Sequence, residues 1–126
     1  MFFSRPAGDK YVNRGDCPEY DFTLADLITR DEWTCLDLSS VVGSGIKLVH
    51  IICQIWRQTT AGAILLRPHS FSGSKNIVDF CNANTLWLVA ASDFVETDKD
   101  GCLDYYLYGG LAYTTLNLTI KGWFTK

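Results

Sequence analysis

The chain has 126 residues, 48% hydrophobic and 20% charged, with a formal net charge of −3 and a pI near 5.2. That length suits one domain with one core, and that composition excludes a disordered chain. The acidic balance lacks the basic footprint of a nucleic-acid binder, and no apolar run is long enough to span a bilayer as a helix, so neither nucleic acid nor membrane is expected as a partner.

Residues 1–20 read as an extended arm. Pro6, Gly8, Gly15 and Pro18 break any sustained period there. The start, MFFSRPAGDK, lacks the apolar stretch and small-residue cleavage site of a signal peptide. Phe2 and Phe3 are expected to dock on a neighbouring subunit. Arg14-Gly15-Asp16 matches an adhesion tripeptide, but three residues recur by chance, and an ordinary polar turn is expected. The five cysteines, Cys17, Cys35, Cys53, Cys81 and Cys102, are widely spaced with no CxxC pair. They are expected to be free thiols, mostly buried.

Residues 21–126 read as a single β domain. DFTLADLIT (21–29) has no clean period and suits either one helical turn or a short strand. WTCLDLS (33–39) alternates as a strand does, and VVGSG (41–45) is a turn. IKLVHIICQIWR (46–57) is rich in β-branched residues. Leu48, His50, Ile52, Gln54 and Trp56 would share one face; Val49, Ile51, Cys53 and Ile55 would share the other. Both faces are largely apolar, which predicts a central strand. QTTAG (58–62) is a turn, AILLRPH (63–69) a strand closed by Pro68, and SFSGSKN (70–76) a loop. IVDFCN (77–82), TLWLVAAS (85–92) and LDYYLYG (103–109) read as strands. TTLNLTIKGWF (114–124) alternates most clearly: Leu116, Leu118 and Ile120 face one way, Asn117, Thr119 and Lys121 the other. About eight strands with turn signals between them, and no amphipathic helix of three turns, predict an all-β antiparallel β-sandwich or jelly roll. Its core is expected to hold Trp33, Leu36, Leu38, Ile52, Trp56, Leu86, Leu88, Leu116, Leu118 and Ile120.

The stretch ETDKDGCLDYYL (96–107) raises the question of calcium. With Glu96 as first ligand, Asp98, Asp100, Gly101 and Asp104 fall on positions 3, 5, 6 and 9 of an EF-hand loop. Position 12 is Leu107, which offers no ligand, and the flanks are strand-like. A β-hairpin with its tip at Thr97–Gly101 is the expectation. Zinc needs clustered Cys and His, and His50 and His69 sit beside no cysteine pair in sequence. No metal and no cofactor is expected.

No nucleophile elbow occurs, since Gly43-Ser44-Gly45 is a turn. A hydrolase would need His50 or His69 to meet a thiol such as Cys53 or Cys81, or two of Asp93, Glu96 and Asp104 to converge. Neither is required by the pattern, so no catalytic residue and no enzymatic activity is expected. Asn117-Leu118-Thr119 matches a glycosylation acceptor, but it lies inside a strand and is expected to face solvent or an interface. Tyr105, Tyr106, Tyr108 and Tyr113 are candidate ligand-binding residues, because aromatic rings on a β-sandwich stack on sugars. Tyr106 and Tyr108 would share a strand face.

Three stretches together support a resemblance. EWTCLDLSSVVGSGIKLVHIICQIW (32–56) carries Trp-x-x-Leu-Asp-Leu-Ser-Ser-x-Val leading through a turn into a long apolar strand. LWLVAASDFVETDKDG (86–101) is a small-residue strand ending in an acidic turn, and TTLNLTIKGWFTK (114–126) an alternating strand with Lys-Gly-Trp. Over residues 32–126 the chain resembles small jelly-roll modules of phage virion structural proteins. The turn Gly43-Ser44-Gly45 lacks the proline often found there, and residues 1–31 lie outside the resemblance. What it implies is a subunit of a fibre, tail or capsid surface, often trimeric, with no catalytic residues to carry over. The expected protein is thus a structural subunit, a homotrimer located in the virion with other virion proteins as partners. The alternative is a carbohydrate-binding module meeting a host-surface glycan, or a cytoplasmic location.

Overall fold

The structure, a computed structural model, describes residues 10–56, 62–82, 88–109 and 113–125. Strand β9 (Thr115–Thr125) is the longest element and shows most directly how the sequence makes the fold. Every second side chain in its first half is apolar. Leu116, Leu118 and Ile120 are each 1% exposed, so one pleated face is sealed while Asn117 and Thr119 stay half-buried on the other. Beside it lies β4 (Lys47–Trp56), which buries Val49, Ile51, Cys53 and Ile55 in the same way. Each such side chain contributes about 1.5–3 kcal/mol on burial.

The other strands are β1 (Tyr11–Asn13), β2 (Phe22–Thr23), β3 (Thr34–Asp37), β5 (Gly62–Pro68), β6 (Val78–Asn82), β7 (Val89–Glu96) and β8 (Cys102–Leu107). One sheet has the order β1-β9-β4-β7, with β2 also on β9; the second has the order β3-β8-β5-β6. The pairs β1/β9, β3/β8, β4/β7 and β5/β6 are antiparallel and nested, and they alternate between the two sheets. An antiparallel ribbon rolled into two packed sheets gives this order, which is that of a jelly roll. Between the sheets, β4 and β9 face Leu36, Ile64, Leu66, Phe80, Leu103 and Leu107 in one apolar core.

Several expectations are refined. The strand expected over 85–92 runs over Val89–Glu96 instead. Ser39–Val42 forms one helical turn where the sequence suggested strand running into turn. DFTLADLIT supplies the short strand β2, closed by the Asp26 carboxylate accepting from the Thr23 N–H at 2.8 Å. Of the residues read as arm, Tyr11–Asn13 pair with Gly122–Phe124. Arg14 of the tripeptide is drawn inward. Its guanidinium donates to Asp21 at 2.6 Å and to the Ile120 carbonyl at 2.8 Å, which makes it a tie between that segment and β9. Phe2, Phe3, Leu86 and Trp87 lie outside the described residues.

The tip at Thr97–Gly101 is a turn but does not close a hairpin. β7 and β8 belong to different sheets, so the chain crosses here from one layer to the other. Thr97 is 1% exposed. It accepts at Oγ1 from the Lys47 N–H at 3.0 Å, and its own N–H donates to the Lys47 carbonyl at 2.9 Å. Asp98 Oδ1 accepts from the N–H groups of Asp100 and Cys102, both at 2.9 Å, so this carboxylate folds the turn. Gly101 closes it with φ +82°, and a Cβ there would meet the Gly43 carbonyl at 2.5 Å.

The expected core is correct at Leu36, Leu38, Leu116, Leu118 and Ile120. Trp33, Ile52 and Trp56 are only half-buried, and Leu88 is 46% exposed. The reason is strand parity: Ile52 and Trp56 alternate with the buried Ile51, Cys53 and Ile55 and therefore lie on the outer face of β4.

Candidate functional site

The outer face of the four-stranded sheet gathers most of the chemistry. Along β8 the side chains alternate. Leu103, Tyr105 and Leu107 enter the core, and Cys102, Asp104 and Tyr106 point outward. The register then places Cys35 of β3 and Arg67 of β5 directly on either side of Asp104.

Two interlocked groups result. The first is aromatic. Trp33 meets Tyr106 edge-to-face with centroids 5.5 Å apart, and Tyr106 meets Tyr108 edge-to-face at 5.2 Å. The Arg67 guanidinium carbon sits 3.8 Å from the Trp33 ring centroid, a cation–π contact. Tyr108, at the open end of the file, is 46% exposed.

The second is charged. Asp104 is 6% exposed, and a carboxylate so buried needs partners. His69 Nδ1 lies 2.6 Å from Oδ1, the Ser70 N–H donates to Oδ2 at 3.2 Å, and Arg67 Nε lies 3.8 Å from Oδ2. Pro68 ends β5 and Ser70 takes φ +67°, so the chain turns back and brings His69 over the carboxylate. The Asp104 hydrogen bond holds the His69 pKa above the ordinary imidazole value, although partial burial opposes this.

The candidate tyrosines separate into two kinds. Tyr106 and Tyr108 stand on the outer face. Tyr105 is 3% exposed and its hydroxyl accepts from the Thr29 N–H at 3.3 Å. Tyr113 is 4% exposed and its hydroxyl donates to the Tyr108 carbonyl at 2.7 Å, which pins the end of β8. Trp33 and Arg67 complete the file and were missed. The signal was available in parity, because Trp33 and Cys35 alternate with the inward Leu36.

The hydrolase pairings do not form. His50 stacks on Phe94 at 4.7 Å on the other sheet, and Cys53 lies in the core, where burial pushes its thiol up to about 12. Cys81 donates to Asp79 at 2.9 Å, and that carboxylate first, with burial, raises its thiol to about 11. Cys35 instead stands diagonally across from Cys102 on the paired strands β3 and β8. Burial is the first cause of the raised pKa at both; at Cys102 the neighbouring Cys35 thiol and then the Asp37 and Asp98 carboxylates add to it, pushing it up to about 12. Thiols held protonated in this way are poor nucleophiles. Asp93 and Glu96 lie on β7, in the opposite sheet from Asp104. Asn117 donates through Nδ2 to Gln54 Oε1 at 3.2 Å on the outer face of the five-stranded sheet.

No family model, curated protein or solved structure matches the chain. The resemblance to phage virion modules therefore rests on the quoted stretches alone. Among the described residues, no helix is long and apolar enough to cross a membrane.

Proposed function

We propose that this protein is a non-enzymatic recognition module that binds a saccharide on the outer face of its four-stranded sheet. The observation that carries this reading is the file Trp33–Tyr106–Tyr108, ending in a ring open to solvent and flanked by the Arg67–Asp104 pair. Sugar rings present an apolar face of C–H groups beside hydroxyls. Aromatic rings take the first, and charged hydrogen-bonding groups fixed by their neighbours take the second. The fold hosts lectins and coat proteins alike and does not choose between them. The raised thiol pKa values of Cys35, Cys53, Cys81 and Cys102 argue against any of these four as a nucleophile.

The test is an oligosaccharide array probed with the intact protein. Retention of a subset of glycans by wild type is expected, with loss in Tyr108→Ala and Trp33→Ala but not in Tyr20→Ala, which changes an exposed ring off this file. Absence of any retained glycan, or unchanged binding by both file variants, overturns the reading.

One observation favours a second reading, a self-assembling virion subunit. The outer edge of β7 pairs with no strand among the described residues, and Ala90 to Asp93 are exposed along it. An open edge of this kind accepts a strand from another copy. Mass photometry is expected to show a homotrimer if this surface is used, and a monomer at micromolar concentration removes the reading.

A further inference from the structure

Beside the aromatic file, three metal-binding side chain types come together from distant parts of the chain. Cys35 and Asp104 stand opposite each other on β3 and β8, and His69 follows the last residue of β5. The Cys35 sulfur, a ring nitrogen of His69 and a carboxylate oxygen of Asp104 lie within 4.8 Å of one another. We propose that Cys35, His69 and Asp104 form a three-ligand binding site for a divalent cation of the zinc type, with the fourth position open.

The donor set selects the metal. Calcium and magnesium take oxygen ligands and would gain little from sulfur or imidazole. Sulfur, nitrogen and one carboxylate suit a borderline-soft ion with tetrahedral preference. Bonds of about 2.3 Å to sulfur and about 2.0–2.2 Å to nitrogen and oxygen bring tetrahedral donors to roughly 3.5 Å apart. The Cys35 sulfur must therefore move in by up to about 1 Å, while His69 and Asp104, 2.6 Å apart, move apart by about the same amount. The movable members can do this: Cys35 is exposed, and the His69 side chain is 36% exposed on a turn. Asp104 stays fixed by the Ser70 N–H.

On binding, the Cys35 thiol releases its proton to solvent and the sulfur lone pair goes to the metal. The hydrogen bond between His69 and Asp104 opens as the cation takes the place of the proton between them, and that proton moves to the other ring nitrogen of a neutral His69 or leaves a charged one to solvent. Arg67 remains beside the second carboxylate oxygen. The carboxylates of Asp37 and Asp98 act on the Cys35 thiol and add to the negative potential that draws a cation in. The two strands β3 and β8 and the turn after β5 would then be clipped at one point. The site stands whether or not the aromatic file binds sugar.

The test uses the full chain, reduced, stripped with chelator and titrated with cobalt(II) alone as probe. One equivalent is expected to produce near-ultraviolet thiolate-to-cobalt charge-transfer absorption and the visible bands of tetrahedral cobalt, both abolished by zinc. Removal of a partner outside the ligand shell costs 10–100-fold in metal affinity, so Cys35→Ser and His69→Ala are each expected to weaken binding at least about tenfold. Cys17→Ser and Cys81→Ser are expected to leave it unchanged. The two ligand variants change side chains that are at least partly exposed, and circular dichroism checks that they fold. Wild type without charge-transfer absorption, or absorption of full strength and affinity in Cys35→Ser, overturns the proposal.

Discussion

The two outer faces of this jelly roll both carry rows of aromatic rings, and they differ in what lies beneath them. On the five-stranded sheet, His50 stacks on Phe94, Phe94 neighbours Phe124 at 6.3 Å, and Phe124 meets Tyr11 at 4.9 Å. These rings join β7, β4, β9 and β1 across one surface, and the nearby polar pair is the neutral Asn117–Gln54 contact. On the four-stranded sheet, the rings stand beside a buried carboxylate with a guanidinium, an imidazole and a thiol around it. Cross-strand aromatic contact alone is a packing device. Aromatic contact next to costly buried charge is a surface built to meet another chemical group.

The comparison can be broken by mutation. Asp104→Ala leaves Arg67 with no carboxylate beside it at a largely desolvated position, and a loss of about 3–5 kcal/mol is expected in urea denaturation. Asn117→Ala on the opposite face should cost no more than about 1 kcal/mol. Equal losses would mean that the charged cluster is an ordinary surface network. Gly101→Ala tests the crossover between the sheets. It combines φ +82° with a 2.5 Å approach to the Gly43 carbonyl, and a loss of about 2–4 kcal/mol is expected by the same assay.

The turn at 97–101 also marks a limit of sequence reading. Asp98, Asp100 and Gly101 announce a turn, and a turn forms. Whether its two strands pair with each other or enter different sheets depends on contacts with Leu38, Gly45 and Lys47, which no local pattern contains. Strands β4 and β9 were legible because one face of each is sealed, and a period of two then fixes every side chain. Trp33 and Trp56 were misplaced because size was weighed above parity. The Cys35–His69–Asp104 cluster was invisible, since only the pairing of β3, β8 and β5 brings its members together.

A smaller effect concerns pH. The hydrogen bond to Asp104 raises the folded-state pKa of His69 above its ordinary value of 6.5. A raised folded pKa means that the protonated form is favoured in the native state, so its stabilisation is fully present below the unfolded pKa and is lost as pH rises through the folded one. In chelator-treated protein, the Tm advantage of wild type over His69→Gln is therefore expected to be largest near pH 6 and to fade toward pH 8.5. A constant difference would remove the ionic part of the contact. The smallest stability effect is expected from Tyr108→Ala, within about 0.5 kcal/mol, because the ring is 46% exposed. If stability falls well beyond that, Tyr108 is a packing residue and the two faces are alike after all.

The nested order of the strand pairs has a kinetic meaning. Leu66 pairs with Val78, Leu48 with Glu96, Asp37 with Cys102, and Asn13 with Gly122, so each pair encloses the loops of those before it. Once β5 and β6 have met, the next pair closes only the chain added on either side. Because closure entropy grows with the logarithm of loop length, about 0.6 kcal/mol for each doubling, a chain wired in this way can reach its most distant contacts in a series of small steps, like a zip drawn from its closed end.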